Sequence, residues 1–169
     1  MLDIESFAPA IRALPELPEG AQYTPADLMV PQFQIAAERH LRMYYVPFGT
    51  INSDARVAIV GITPGWTQME IAYRVVRKEL IAGTAAEEAC RRAKFEASFA
   101  GSMRTNLISM LDLLGLPALL GLTSSADLFD SAPYLVHTTS AIRYPVFNGD
   151  RNYTGSNPHP LKSPLLMGT

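Results

Sequence analysis

The feature that most constrains the fold is a short apolar run at Arg56–Gly61, which leads into a Pro64-Gly65 turn and then a helical pattern. A β-branched run without polar alternation is typical of a strand that a parallel sheet buries on both faces. A second run, Tyr134–Ile142, has the β-branched and aromatic content of another strand. Because a long crossover separates the two, the sequence predicts an α/β fold with both runs as adjacent, parallel central strands and helices on both sides.

Three helices are predicted within the crossover, at residues 67–82, 85–97 and 102–114. The first two begin at capping-box spacings, in which a Thr precedes a Glu by three residues: Thr67 with Glu70 and Thr84 with Glu87. Gly83 and Gly115 end the first and third helices. The apolar segment Asn106–Leu122 is too interrupted to span a membrane, and we interpret it as a buried helix and turn.

Prolines and glycines divide the rest of the chain. Residues 1–25 form a Pro-rich arm of turns and extended chain that must pack on something else. Residues 26–169 form the α/β domain, and loosely helical spacing predicts a first helix over Ala26–Tyr45. The segment Pro145–Thr169 has loop composition. Since two parallel strands are too few to bury their helices, we expect a domain that is incomplete at its C-terminus, with a free sheet edge and exposed apolar side chains.

Composition excludes several classes of function. Fourteen Lys and Arg against sixteen Asp and Glu give a net charge of -2, unlike the strongly basic surface of a non-specific nucleic-acid binder. The single cysteine, Cys90, excludes an internal disulfide, a Cys-ligated cluster and a multi-Cys zinc site. No metal or other cofactor is expected. With an acidic start and no spanning segment, we expect a cytoplasmic monomer that does not bind membranes.

The turn after the first strand is the strongest candidate site. Gly61-Ile62-Thr63-Pro64-Gly65 lies at the carboxyl end of a predicted parallel strand, where open α/β sheets bind ligands. Free amides at the start of the following helix favour an anion such as a phosphate. By itself the pattern more often indicates an ordinary tight strand-to-helix turn, so other residues must decide between the two.

Three segments, in order along the chain, resemble motifs of the uracil-DNA glycosylase superfamily. Gly61–Gly65 is similar to the G-I-N-P-G form found in the mismatch-specific uracil/thymine glycosylases. Ser98–Leu107 resembles the family segment R-P-F-x-G-x-x-G-x-x-L, and Val136–Pro145 resembles its strand Y-I-T-N-x-V-K-x-x-P. Together the matches span residues 57–145.

The resemblance implies a three-layer α/β fold of the uracil-DNA glycosylase type and a site for an extruded base. Phe99 would be the stacking platform, although its residue type is equally typical of an aromatic packed ahead of a helix. Arg143 and Arg104 would contact phosphates. The base-binding residues implied are Gly61, Pro64, Gly65, Trp66, Phe99 and Ser140. Ile62 and Thr63 are the catalytic candidates, because they stand where members of the family hold the attacking water.

The chain departs from the family at three places. Thr63 stands where members that use a carboxylate have Asp or Glu, and a hydroxyl can hold a water but cannot accept its proton near neutral pH. Ser140 replaces an Asn that reads uracil, and one hydroxyl cannot pair as an amide does. His159-Pro160 is similar to the last family motif, but it follows Ser140 too closely for the intervening helices and strands, so we interpret His159 as a loop histidine.

Two functions follow from the resemblance. The first is base excision, the hydrolysis of an N-glycosidic bond in damaged DNA without a metal. The second is a glycosylase-fold protein, weakly active or inactive, that binds a nucleobase, nucleotide or DNA. The expected partner is therefore damaged or uracil-containing DNA, or a nucleobase-like small molecule. If no oligonucleotide binds, a small-ligand α/β domain is the remaining interpretation.

Overall fold

The computed structural model describes residues 2–168 as a mixed α/β structure. Its α-helices are α1 (Ala8–Arg12), α2 (Pro25–Leu28), α3 (Trp66–Ile81), α4 (Ala86–Ala97), α5 (Ser102–Leu113), α6 (Leu116–Leu120) and α7 (Pro164–Met167). Its strands are β1 (Gln34–Glu38), β2 (Leu41–Tyr44), β3 (Val57–Gly61), β4 (Val136–Ser140), β5 (Val146–Asn148) and β6 (Arg151–Asn152). Short 3-10 helices lie at Ile4–Ser6, Ser125–Phe129, Pro133–Leu135 and Pro160–Lys162. Within this described range, every helix is too short or too polar to cross a membrane.

The two runs predicted as central strands do pair, and they run parallel. β3 and β4 are in register from Val57 opposite Val136 to Gly61 opposite Ser140, so both strands end at the same edge of the sheet. The three crossover helices also form, with bounds within one residue of those predicted. An α/β fold with a small parallel sheet is therefore confirmed, whereas the three-layer arrangement of the glycosylase type stays a prediction.

The prediction that β3 is buried on both faces is wrong. Ile59 packs against a small apolar cluster, but Val60, which points to the other face, is 61% exposed. Among residues 2–168, β3 also has no strand at its second edge. Within the described chain, the helix layer expected on that face is therefore absent, whereas the expected free sheet edge is present.

The loop that contains Asn52 covers the start of the outer edge of β4. The Asn52 side chain donates hydrogen bonds to the carbonyl oxygens of Tyr134 and Val136, at 2.9 and 3.0 Å. The main-chain amide of Asn52 donates to Nδ1 of His137 at 3.2 Å. A side chain therefore takes the place that a further strand would occupy beside β4.

The prediction of a helix over Ala26–Tyr45 is wrong. Only its beginning is helical, and β1 and β2 follow as a hairpin within a four-stranded antiparallel sheet of order β1-β2-β5-β6. In β2 the buried Leu41 and Met43 alternate with a half-buried residue, which is strand periodicity. The partner strand, Val146–Asn148, comes from the segment predicted as loop.

The main core forms where α3 and α4 pack on each other and on the antiparallel sheet. Phe33, Tyr73 and Phe147 are at most 1% exposed there, and the rings of Phe33 and Tyr73 meet edge to face with centroids 4.8 Å apart. The N-terminal arm, predicted as turns and extended chain, forms α1 instead. Ile11 of this helix is fully buried, so the arm does pack on the rest of the molecule, at α3.

A smaller apolar cluster lies beneath α5 and α6. Its buried members are Leu128, Phe129, Ala132, Leu135 and Val136. The interpretation of Asn106–Leu122 as a buried helix is wrong, since no residue of α5 is buried and Leu113 and Leu114 are 89% and 76% exposed. Apolar side chains are therefore exposed on these two helices, where the sequence predicted burial, and not only at the sheet edge.

The helix starts differ from the predicted capping boxes. α3 begins at Trp66, and the amide of its N-cap residue Gly65 donates to Gln68 Oε1 at 3.0 Å. Thr67 consequently lies inside the first turn. The Thr84 hydroxyl donates to the Glu79 carboxylate at 2.7 Å, so it does not cap α4.

Candidate functional site

A cavity of about 490 Å³ lies at the carboxyl ends of β3 and β4. Five segments line it, near residues 50, 64, 99, 140 and 153. The predicted site residues that it brings together are Gly61, Ile62, Thr63, Pro64, Gly65, Phe99, Ser140 and Arg143. Its size and its mixture of apolar and polar walls suit a small organic ligand or one group of a larger one.

Phe99 approaches the strand ends directly. A Cβ placed on Gly61 would lie 3.6 Å from Cε1 of the Phe99 ring and 3.4 Å from Ser140 Oγ. The backbone of Phe99 has φ 54°, in the left-handed region that non-glycine residues seldom adopt. Such a conformation persists only where the surroundings hold it, and it recurs at functional sites. Three residues far apart in sequence thus form one corner of the cavity, an aromatic ring beside a hydroxyl.

Arg104 holds the loop that carries Phe99, and it does not face the cavity. Its guanidinium donates to the carbonyl oxygens of Phe95, Glu96 and Ser98 at 2.7 to 3.1 Å. The same group lies 5.0 Å above the centroid of the Phe129 ring. The structure therefore does not bring Arg104 together with the other predicted site residues, because its Nε and Nη2 donate to the main chain and it lies outside the cavity lining.

Trp66 is also absent from the cavity lining. It is half-buried and packs against the main core at the start of α3. The main-chain amide of Trp66 donates to Asn152 Oδ1 at 2.8 Å, and the main-chain amide of Gly65 donates to Gln68 Oε1. The helix start thus satisfies its amides with side chains, and the free amides expected for an anion are not available at these two positions.

Thr63 and Ile62 supply no group that can take a proton. The Thr63 hydroxyl donates to the Tyr144 carbonyl oxygen at 2.9 Å, which leaves its oxygen to accept from a ligand or a water. The Ile62 side chain is 52% exposed, and its carbonyl oxygen accepts from the Ile142 amide at 2.8 Å. Within the described chain, no Asp or Glu lines the cavity at all.

Polar groups lie along the β4 side of the cavity. The hydroxyls of Ser98 and Thr138 are hydrogen-bonded to each other at 2.8 Å. The Ser140 hydroxyl has no hydrogen-bond partner within residues 2–168, so it is free to pair with a ligand. His159 lies outside the lining, at the start of a 3-10 helix, which confirms it as a loop histidine.

Cationic side chains dominate the charge of the cavity. Lys94, on α4, donates to the Thr50 carbonyl oxygen at 2.5 Å and lines the cavity together with Arg143 and His137. Burial lowers the pKa of Lys94 to about 8, and the nearby Arg143 charge adds to the effect. Burial, with Lys94 and Arg143, also lowers the pKa of His137. With cations present and no acid in the described lining, the cavity favours an anion or developing negative charge.

Sequence reasoning expected the basic residues of 74–104 to contact phosphate, but it did not single out Lys94. The signal was present, because Lys94 lies four residues after Cys90 and three before Ala97, both buried in the structure, and so shares their face of α4. Arg and Glu neighbours made the whole helix resemble a solvated surface.

No group of three or more His, Cys, Asp or Glu side chains in the described chain forms a metal site.

The chain is similar to one curated protein of Bacillus subtilis (strain 168), named uncharacterized protein YoxB. The two are 42% identical over 164 residues, which is 96% of this chain. The matched part is 62% of the relative, so the chain spans less than two thirds of that protein's length. No protein-family profile and no solved structure matches the chain.

Proposed function

We propose that this protein is uracil-DNA glycosylase-like, and that its cavity takes an unstacked base of damaged DNA and hydrolyses the N-glycosidic bond. The observation that carries the proposal is the approach of Phe99 to Gly61 and Ser140 at the strand ends. A base that leaves the duplex needs an aromatic face on which to stack and a polar group at its edge. The segments that meet here are the same three that resemble the glycosylase motifs.

The cavity has candidate groups for stacking the base, for pairing with its edge and for stabilising its charge. The base stacks on Phe99, and the free hydroxyl of Ser140 donates to or accepts from its edge. As water bonds to C1′ of the sugar, the bond from C1′ to the base nitrogen breaks and its electron pair goes to the base. The proton that the water loses ends on the departing base, which leaves as the neutral molecule. Lys94 and Arg143 stabilise that negative charge, which is the kind of electrostatic help that dominates many active sites.

A second function, base binding without cleavage, is favoured by the chemistry around Thr63. Its hydroxyl donates to Tyr144, and no carboxylate in the described lining is available to take a proton from water. Removing a general base of this kind costs a typical enzyme about 10²- to 10⁴-fold in rate. On this account the cavity would recognise a base and leave the bond intact.

One experiment separates the two. Oligonucleotides containing uracil, hypoxanthine or xanthine are incubated with the protein at low salt, where phosphate contacts are strongest. Fluorescence anisotropy measures binding, and gel analysis after alkali measures abasic product. Binding with product supports excision, and binding without product supports the second function. Failure of all three to bind contradicts both.

A matched pair of variants tests the site itself. Phe99→Ala removes the stacking ring, and Tyr134→Ala removes an aromatic ring that is 66% exposed and lies outside the cavity lining. Base stacking contributes about 1 to 3 kcal/mol per base, so the first variant is expected to weaken binding by about 5- to 150-fold. Equal binding by both variants would place the base elsewhere.

A further inference from the structure

Lys94 differs from the other lysines of this chain. The sequence contains three, and Lys78 and Lys162 are exposed on the surface, whereas Lys94 is half-buried and lines the cavity. Its Nζ donates to the Thr50 carbonyl oxygen. Within residues 2–168 it forms no ion pair with a carboxylate, and its titratable neighbours in the cavity are Arg143 and His137.

These surroundings favour the neutral amine, which is the nucleophilic form of lysine. A carboxylate would hold the proton on Nζ, whereas burial and a nearby cation both disfavour the ammonium ion. The pKa of Lys94, lowered to about 8, leaves part of the population neutral near physiological pH. Lysines in such pockets form Schiff bases with carbonyl substrates.

Hydrolysis of an N-glycosidic bond generates a carbonyl in the same cavity. Once the base has left, the sugar opens to an aldehyde at C1′. Lys94 and Phe99 line one cavity of about 490 Å³, and the four-carbon stem of lysine is flexible. A sugar whose base has stacked on Phe99 would therefore lie in the cavity that Lys94 also lines.

We propose that Lys94 forms an imine with the C1′ aldehyde of an abasic site held in this cavity, an inference that rests on the proposed function. The Nζ lone pair forms the bond to C1′, giving a carbinolamine. The former aldehyde oxygen then leaves as water with the two protons of the amine, and a carbon–nitrogen double bond remains. The step needs no oxidant, reductant or metal.

Borohydride trapping tests the proposal directly. The protein is incubated with an oligonucleotide that contains one abasic site, and sodium borohydride converts any imine to a stable amine. We expect a covalent complex on a denaturing gel, and peptide mapping by mass spectrometry should place the adduct on Lys94. An adduct on Lys78, Lys162 or the N-terminal amine instead of Lys94 would overturn the proposal.

Variants and pH sharpen the result. Lys94→Arg keeps a cation but lacks a nucleophilic amine, and it should reduce trapping at least tenfold, whereas the control Lys78→Arg should not reduce it. If Lys94→Arg fails to fold, the mapping of the wild-type adduct still decides. Trapping by the wild type should rise between pH 7 and pH 9 as Lys94 loses its proton; a yield that falls over this range counts against an imine at Lys94.

A second arm separates this inference from the proposed function. Binding of the abasic oligonucleotide is measured by anisotropy without borohydride. If the oligonucleotide binds but no adduct forms, the imine is refuted while base binding stands. If it does not bind, the function is refuted, and glyoxylate, a small anionic aldehyde, then tests Lys94 alone. Preferential trapping of glyoxylate on Lys94 supports a nucleophilic lysine, and equal labelling of the three lysines refutes it.

Discussion

The half of the molecule that contains α3, α4 and the antiparallel sheet is packed very differently from the half that contains β3, β4 and α5. Phe33, Tyr73 and Phe147 are almost completely buried in the first half, whereas Val60 and Leu113 in the second are 61% and 89% exposed. Burial of apolar surface is the dominant favourable term in folding. The first half therefore stabilises the fold, and the second, which supplies most of the cavity lining, has fewer contacts to lose.

The largest expected effect is a loss of stability, which we expect from a substitution in the first half and not from one in the second. Phe33→Ala should lower the free energy of unfolding by about 3 to 5 kcal/mol, because it leaves a cavity against Tyr73. Leu113→Ala, at an exposed position on α5, should change it by no more than about 0.5 kcal/mol. Urea denaturation followed by circular dichroism measures both, and similar losses would erase the contrast between the halves.

Arg104→Ala is expected to have an intermediate effect in the second half. It removes the hydrogen bonds to the carbonyl oxygens of Phe95, Glu96 and Ser98, and we expect a loss of about 1 to 3 kcal/mol. Oligonucleotide affinity should fall as well, since the Phe99 loop loses its support. Arg91→Ala, on the surface of α4, serves as the control and should leave both quantities unchanged.

A smaller change in stability is expected at Phe99, together with a clear loss of binding. Asn tolerates the left-handed backbone of this position better than Phe does, which offsets the lost ring contacts. Phe99→Asn should therefore alter the free energy of unfolding by about 1 kcal/mol or less while weakening base binding by about 5- to 150-fold. Parallel denaturation and anisotropy measurements check this. A large loss of stability would show that the ring serves the fold.

The smallest expected effect concerns acid stability in the second half. Hydrogen bonds from the Ser125 main-chain amide, at 2.6 Å, and the Ser124 hydroxyl, at 2.8 Å, lower the pKa of Asp112 below its usual 3.8. Because the folded pKa lies below the unfolded one, this stabilisation is complete above the unfolded pKa and is lost as the pH falls through the folded pKa. Asp112→Asn should thus flatten the decline in stability on acidification, measured by urea midpoints from pH 6 to pH 3. Asp150→Asn, at an exposed turn, should leave the decline as it is.

The sequence predicts those parts of the fold that depend on local patterns. The β-branched runs at Val57–Gly61 and Val136–Ser140 identify both parallel strands, and Gly83 and Gly115 help to bound the helices between them. The antiparallel sheet is not predicted, since β2 finds its partner in β5 about a hundred residues later. The apolar residues of Ala26–Tyr45 fit helical spacing, and only the pairing of β2 with β5 shows that this segment is a strand hairpin.

The candidate site, too, has residues that the sequence locates and residues that it does not. Resemblance to known motifs brings Gly61, Phe99 and Ser140 to one place, and the structure brings them together. It misplaces Arg104, because a motif does not tell whether a guanidinium will bind a phosphate or the nearby main chain. It does not single out Lys94, because the half-burial of a helical lysine depends on the Thr50 loop, which packs against it from elsewhere in the chain.

Asn52 makes the two outer edges of the parallel sheet unequal in their ability to accept a further strand. By donating to the carbonyl oxygens of Tyr134 and Val136, its side chain occupies the start of the outer edge of β4, while β3 has no strand at its own outer edge in the described chain. A strand that joins this sheet therefore meets less obstruction beside β3 than beside β4. A strand added parallel to β3 would end close to Gly61 and would thereby also extend the wall of the cavity.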